Sequence, residues 1–130
     1  MKIFLPFILL LLLVSPKGVA QEAKLITSAE LIKMQQQDSK LQILDVRTLP
    51  ELEGGIIKGS TNIDFFKDDF AKKVLKLDPK APVVVYCAVG GRSAKAAHFL
   101  LLNGYTTVYD LKGGFNQWKA QGAPIFYLKK

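Results

Sequence analysis

The single cysteine, Cys87, is the side chain in this sequence best suited to covalent chemistry. It follows a β-branched run and opens the segment Cys87-Ala88-Val89-Gly90-Gly91-Arg92-Ser93. The two glycines let the backbone curl so that successive N–H groups point inward as an anion nest. Such donors stabilise a thiolate, and helix N-termini or nearby cations lower a cysteine pKa from about 8.5 to roughly 3.5–7.5. We therefore expect Cys87 to be a nucleophile with a lowered pKa.

Two other interpretations of a lone cysteine stay open at this point. Cys87 has no second cysteine in the chain with which to form an internal disulfide. A single thiol of this kind is a reactive group, an intermolecular disulfide partner or a small buried apolar side chain. The glycines and the arginine that follow Cys87 favour the reactive group.

The first 20 residues have the layout of a secretory signal peptide. Lys2 precedes an apolar run over residues 3–14, and the small residues Gly18 and Ala20 follow it. The run is shorter than the about 20 residues that a membrane-spanning helix needs. We expect cleavage after Ala20, export to the periplasm or the extracellular space, and no stable membrane insertion afterwards. An uncleaved N-terminal anchor is the alternative.

The remaining residues, 21–130, are enough for one compact domain but not for two. Loss of Lys2 and Lys17 lowers the formal net charge from +7 to +5. The remaining cations are spread among acidic residues, which is not the pattern of a nucleic-acid-binding surface. A mildly positive field still favours the approach of small anions.

Strands and helices are predicted to alternate along the chain. Alternating or β-branched apolar runs predict strands, and apolar residues at helical spacing predict helices. Glycines at positions 54, 55 and 59 mark a loop. The predicted strands cover residues 25–26, 41–46, 62–63, 83–86 and 106–109, and the predicted helices cover residues 27–37, 65–77, 93–102 and 115–120.

This alternation predicts an α/β fold with a mostly parallel central sheet and helices on both faces. The run over residues 83–86 is typical of a central strand that is covered on both sides. In such folds ligands bind beyond the carboxyl ends of the strands, where helix N-termini present free N–H groups. Cys87 is predicted to lie at that place.

Four blocks of this sequence resemble, in the same order, blocks of the rhodanese family. The active-site block is residues 87–93, with four residues between Cys87 and Arg92. The resemblance covers residues of about 25 to 125, nearly the whole chain that follows the predicted signal peptide. The other three blocks are Asp45-Val46-Arg47, Gly55-Ile56-Ile57-Lys58-Gly59-Ser60-Thr61-Asn62-Ile63 and Leu111-Lys112-Gly113-Gly114-Phe115-Asn116-Gln117-Trp118.

The resemblance implies a rhodanese-like fold and a sulfurtransferase that needs no metal or organic cofactor. Cys87 would take a sulfur atom from a small anionic donor such as thiosulfate and pass the sulfur to cyanide or a thiol, including a thiol on a partner protein. Backbone N–H groups of residues 88–93 would hold the transferred sulfur, and Arg92 would attract the donor. Asp45 and Arg47 would fix the loop framework, because buried charges need partners.

The sequence departs from the family pattern at two places. Ile56 stands where the family often has histidine, and Leu49-Pro50 disturbs the spacing of the nearby acidic residues. His98 is expected to be a packing or surface residue and not a general base. Phe115 and Trp118 are expected to anchor the core.

Two other functions compete with sulfur transfer. Cysteine-dependent phosphatases and arsenate reductases use a similar nest, but they have one more residue between the cysteine and the arginine. A rhodanese-like module that only binds partners is the other alternative, although an intact Cys87 followed by Gly90 and Gly91 disfavours it.

Overall fold

The computed structural model describes residues 1–2 and 22–130 of the chain. The predicted signal peptide, residues 1–20, lies outside the described residues except for its first two. It therefore stays a prediction. Within the described ranges, no helix is both long and apolar enough to cross a lipid bilayer.

Residues 22–130 form one five-stranded parallel sheet with helices packed on it. The strand order is β1-β5-β4-β2-β3, and every neighbouring pair in that order runs parallel. The strands are β1 (Lys24–Ile26), β2 (Gln42–Asp45), β3 (Ser60–Asn62), β4 (Val83–Tyr86) and β5 (Val108–Leu111). The helices are α1 (Ser28–Gln37), α2 (Phe70–Val74), α3 (Gly91–Leu102) and α4 (Gly114–Ala120), with a 3₁₀ helix at Pro50–Gly54.

Strand β4 is the centre of the sheet and is buried along its whole length. Successive side chains of a strand point to opposite faces. Val83 and Val85 pack with residues of α2 and α3 on one face. Val84 and Tyr86 pack with residues of α1 and α4 on the other face. The predicted α/β class, with helices on both faces of a parallel sheet, is therefore confirmed.

A capping box of Thr27 and Glu30 lies at the start of the first helix. The Thr27 Oγ1 atom accepts the Glu30 N–H at 3.1 Å, and the Glu30 carboxylate accepts the Thr27 N–H at 3.2 Å. These two bonds satisfy N–H groups that no helical carbonyl can reach. This capping box fixes the start of α1, which connects the edge strand β1 to β2.

Several predicted elements have different bounds in the structure. The helix expected over residues 65–77 covers only Phe70–Val74, because the Asp64 carboxylate accepts the Phe66 N–H at 2.9 Å and holds a turn there. Phe66 is consequently 66% exposed instead of packed. Strand β5 ends two residues later than the strand predicted over residues 106–109, and α3 starts two residues earlier than the helix predicted over residues 93–102.

The carboxyl ends of the three middle strands bring three of the four blocks together. Asp45 at the end of β2 pairs in register with Tyr86 of β4, the residue before Cys87. Asp110 of β5 pairs with Val85 of β4. Because all strands run parallel, the segments after them leave the same edge of the sheet. The candidate site lies at this edge.

Candidate active site

Cys87 lies directly beyond the end of β4 and beneath the loop that leads into α3. The Gly90 N–H donates a hydrogen bond to the Cys87 Sγ atom at 3.0 Å, and the Ser93 Oγ atom lies 3.4 Å from the same sulfur. Cys87 is only 1% exposed. The sulfur atom is thus buried, and it contacts an N–H group and a hydroxyl oxygen of the following loop.

The surroundings of Cys87 lower the pKa of its thiol. Burial raises the pKa, but hydrogen bonds from the Ser93 side chain and from the N–H groups of Ser93, Gly90 and Val89 outweigh it. These donors stabilise the thiolate and not the neutral thiol. The direction of the shift agrees with the expectation from the sequence.

The loop residues divide into buried and exposed positions. Gly90 has a φ of 122°, which a residue with a Cβ atom adopts only under strain, and this angle turns its N–H toward the sulfur. The Ser93 hydroxyl also donates to the Gly90 carbonyl oxygen at 3.1 Å. Ser93 is buried, Ala88, Gly90 and Arg92 are half-buried, and Val89 and Gly91 are exposed.

The start of α4 holds the other side of the loop. The N–H groups of Phe115 and Asn116 donate to the carbonyl oxygens of Cys87 and Ala88 at 2.8 Å and 3.0 Å. Gly114 has a φ of 60°, and a Cβ atom there would lie 2.5 Å from the Cys87 oxygen. Only glycine fits this approach. The adjacent glycines 113 and 114 are the signal in the sequence that two backbone segments meet here.

Arg92 forms an ion pair that the sequence analysis missed. Its Nη1 and Nη2 atoms donate to the two carboxylate oxygens of Glu51 at 2.8 Å and 2.7 Å. Its guanidinium carbon lies 5.5 Å from the centre of the Phe66 ring. The Arg92 side chain keeps the pKa of Glu51 at about 2, so the carboxylate is ionised at neutral pH. No spacing in the sequence links residue 51 to residue 92.

Asp45 and Arg47 form a second ion pair, which is buried. Arg47 Nη2 lies 2.8 Å from the Asp45 carboxylate, and the two side chains are 2% and 0% exposed. Arg47 also donates to the carbonyl oxygens of Gly55 and Glu51. Its guanidinium carbon lies 4.1 Å from the centre of the Phe115 ring. This pair connects the end of β2 to α4 and to the 3₁₀ helix that carries Glu51.

The remaining candidates have no contact with the sulfur among the hydrogen bonds described. Ile56 is buried, and its backbone forms two hydrogen bonds with Phe126. An apolar side chain suits that packed position. His98 is exposed on α3. Phe115 and Trp118 are buried in the core, as predicted.

This arrangement can bind and stabilise an anionic sulfur. The Gly90 N–H and the Ser93 hydroxyl lie against the Cys87 sulfur, and both arginines already have carboxylate partners. Donors of this kind act on charge that develops at the reacting atom.

Comparisons with known proteins agree with this arrangement. Residues 27–121 match the family described as Rhodanese-like domain. The uncharacterized protein YqhL of Bacillus subtilis is 43% identical over 79 residues, which are 61% of each chain. The thiosulfate sulfurtransferase GlpE of Pseudomonas fluorescens is 35% identical over 77 residues, which are 59% of this chain and 69% of GlpE.

Solved structures share the fold. A rhodanese-related protein of Thermoplasma volcanium superposes with a TM-score of 0.69 at 32% identity, covering 78% of this chain and 96% of its own. A Rhodopseudomonas palustris protein described as a possible tyrosine phosphatase has a TM-score of 0.67 at 31% identity, covering 79% and 84%.

Proposed function

This chain belongs to the rhodanese-like domain family, and from that premise we propose that it is a sulfurtransferase that carries sulfur as a persulfide on Cys87. The observation that carries the proposal is the Gly90 N–H, which lies 3.0 Å from the Cys87 sulfur. A thiolate and a persulfide are both anions, so the same donors serve both states of the enzyme. The similarity to GlpE supports thiosulfate as a donor.

The proposed reaction has two steps. In the first, the Cys87 thiolate attacks the outer sulfur of thiosulfate. The sulfur–sulfur bond of the donor breaks, sulfite leaves with the bonding electron pair, and a Cys87 persulfide remains. In the second, cyanide or a thiolate attacks the terminal sulfur, and the Cys87 thiolate leaves. Covalent capture replaces one difficult transfer by two easier ones.

The burial of Cys87 sets a requirement for access. Because Cys87 is 1% exposed, a donor reaches the sulfur only after the loop shifts. Val89 and Gly91 are the exposed positions of this loop, so an outward shift would begin there. The anionic donor would then contact the N–H groups first and Arg92 second, because Arg92 already forms an ion pair with Glu51.

The mass of the intact protein tests the proposal. We expect incubation with thiosulfate to add one sulfur atom, and cyanide to remove it. Cys87→Ser should abolish the addition, because a serine hydroxyl does not form a persulfide. Unchanged mass in the unsubstituted chain, under conditions that load a GlpE control, would contradict the proposal.

Two alternatives have specific support and predict different results. The structural likeness to a possible tyrosine phosphatase favours a phosphatase, which would release phosphate from an aryl phosphate without gaining sulfur. The burial of Cys87 favours a module that only binds partners. A binding module would neither gain sulfur nor release phosphate, whereas Cys87 alkylation would still proceed slowly.

We further propose that the chain is exported. The support is the basic residue Lys2, the apolar run over residues 3–14 and the small residues Gly18 and Ala20. Expression of the full chain should yield a periplasmic or secreted protein whose mass corresponds to a chain that begins at Gln21. A membrane fraction that holds the uncut chain would show an anchor instead.

A further inference from the structure

Asp110 is a buried carboxylate close to the nucleophile. It is 6% exposed, and its Oδ1 atom has no hydrogen-bond partner among residues 1–2 and 22–130. Such a group is costly to bury, so its position needs an explanation. Asp110 pairs in register with Val85, two residues before Cys87, and points to the face of the sheet that carries α3.

Ser93 interacts with both the Cys87 sulfur and the Asp110 side chain. Its hydroxyl is 3.4 Å from the Cys87 Sγ atom and 3.1 Å from the Gly90 carbonyl oxygen. The Asp110 carboxyl group is within reach of the Ser93 side chain as well. A hydroxyl has one hydrogen, so it can donate to only one of these three acceptors at a time.

We propose that Asp110 is a positioning residue that sets which acceptor receives the Ser93 hydrogen, and thereby controls the charge on Cys87. As a neutral acid, Asp110 donates its own hydrogen to Ser93 Oγ, and Ser93 then donates to the thiolate. As a carboxylate, Asp110 accepts a hydrogen bond from the Ser93 hydroxyl. The thiolate then loses that donor and lies near a second negative charge. The consequence for sulfur transfer rests on the proposed function, since the persulfide would occupy the same position.

The surroundings of Asp110 make the neutral acid accessible. Burial raises the pKa of Asp110, and the nearby Ser93 side chain lowers it by less, so the net shift is upward. The titratable groups that face it from neighbouring elements are His98 on α3 and Glu22 before β1. His98 and Glu22 line a cleft of about 340 Å³ with Asp110. Proton exchange with solvent can occur through this cleft.

The rate of Cys87 alkylation by iodoacetamide, followed by intact mass against pH, tests the proposal. Two coupled groups titrate in two apparent steps, and the unsubstituted chain should show both. Asp110→Asn keeps a donor toward Ser93 but cannot ionise. We expect one step, with its midpoint about one pH unit lower, the size typical of one nearby charge. Superimposable profiles would overturn the proposal.

Two further variants separate the Ser93 route from simple charge. In a Ser93→Ala background, Asp110→Asn should shift the midpoint by less than half as much. An equal shift in both backgrounds would overturn the positioning role. Asp69→Asn is the matched control, because it removes the same charge from an exposed residue that pairs with Lys73. We expect it to leave the midpoint unchanged.

A reciprocal measurement covers the case in which Asp110→Asn does not fold. Coupling acts equally in both directions, so removal of the thiolate must change Asp110. In Cys87→Ser, the Asp110 carboxyl resonance should titrate about one pH unit lower than in the unsubstituted chain. An unchanged titration would refute the coupling. Alkylation needs no sulfur donor, so the two proposals fail separately. If Asp110 and Cys87 are coupled but thiosulfate adds no sulfur, only the proposed function is contradicted. If thiosulfate adds sulfur but the two groups are not coupled, only this inference is contradicted.

Discussion

Two arginine–carboxylate pairs flank the loop of residues 87–93, and they differ in exposure. Asp45–Arg47 is buried, with side chains 0% and 2% exposed, whereas the side chains of Arg92 and Glu51 are 19% and 31% exposed. Both arginines also lie over an aromatic ring. The chemistry is the same in both pairs, so the difference in environment must set their roles.

A buried charge that loses its partner remains unsolvated, whereas water solvates a part-exposed charge that loses its partner. Arg47 also donates hydrogen bonds to the carbonyl groups of Gly55 and Glu51, so several contacts hold its side chain in place. Arg92 depends on Glu51 and Phe66 alone among the contacts described. The buried pair therefore suits a framework, and the pair beside the loop suits a group that responds to a ligand.

The largest effect is expected from breaking the buried pair. Asp45→Ala leaves Arg47 charged and buried, and we expect the free energy of unfolding to fall by about 3–5 kcal/mol. Glu51→Ala, at the exposed pair, should cost about 1 kcal/mol or less. Urea unfolding followed by Trp118 fluorescence measures both. Equal losses would remove the distinction between the two pairs.

Arg92→Ala should affect donor use more than stability. The guanidinium is the cation next to the loop, so its loss should slow sulfur loading from thiosulfate about tenfold, the equivalent of roughly 1.4 kcal/mol. The free energy of unfolding should change by about 1 kcal/mol or less, since the pair is part-exposed. Loading rates at several thiosulfate concentrations and urea unfolding are compared on the same preparation. Matched losses of both would mark Arg92 as structural.

Glu51→Gln sharpens the comparison in the opposite direction. It removes the negative charge that neutralises Arg92, so the arginine becomes available to an anion. We expect the thiosulfate concentration that gives half-maximal loading to fall severalfold, and the gain to shrink as salt is added. Glu53→Gln in the same 3₁₀ helix is the control, because Glu53 is exposed. A similar gain in both variants would mean that net charge and not Arg92 is responsible.

The sequence predicted the framework better than the contacts of the site. Hydrophobic patterns fixed the strands, and the place of Cys87 after the central strand followed from them. The Glu51–Arg92 pair joins residues 41 positions apart and leaves no periodic signal. The length of α2 was wrong because a side chain–backbone hydrogen bond at Asp64 competes with the helix. The burial of Asp110 could not be predicted from the sequence either, because a charged residue near the end of a strand is usually exposed.

The smallest effect is the pH dependence that Glu51 contributes to stability. The Arg92 side chain lowers the pKa of Glu51 from 4.5 to about 2 in the folded chain, so the unfolded chain binds a proton first as pH falls. The contribution is therefore complete above about pH 4.5 and lost as pH falls through about 2. Since the pair is part-exposed, it amounts to about 1 kcal/mol or less. The difference in unfolding free energy between the unsubstituted chain and Glu51→Gln should shrink steadily between about pH 4.5 and pH 2. A difference that stays constant over that range would show that packing, and not charge, holds Arg92 against the 3₁₀ helix.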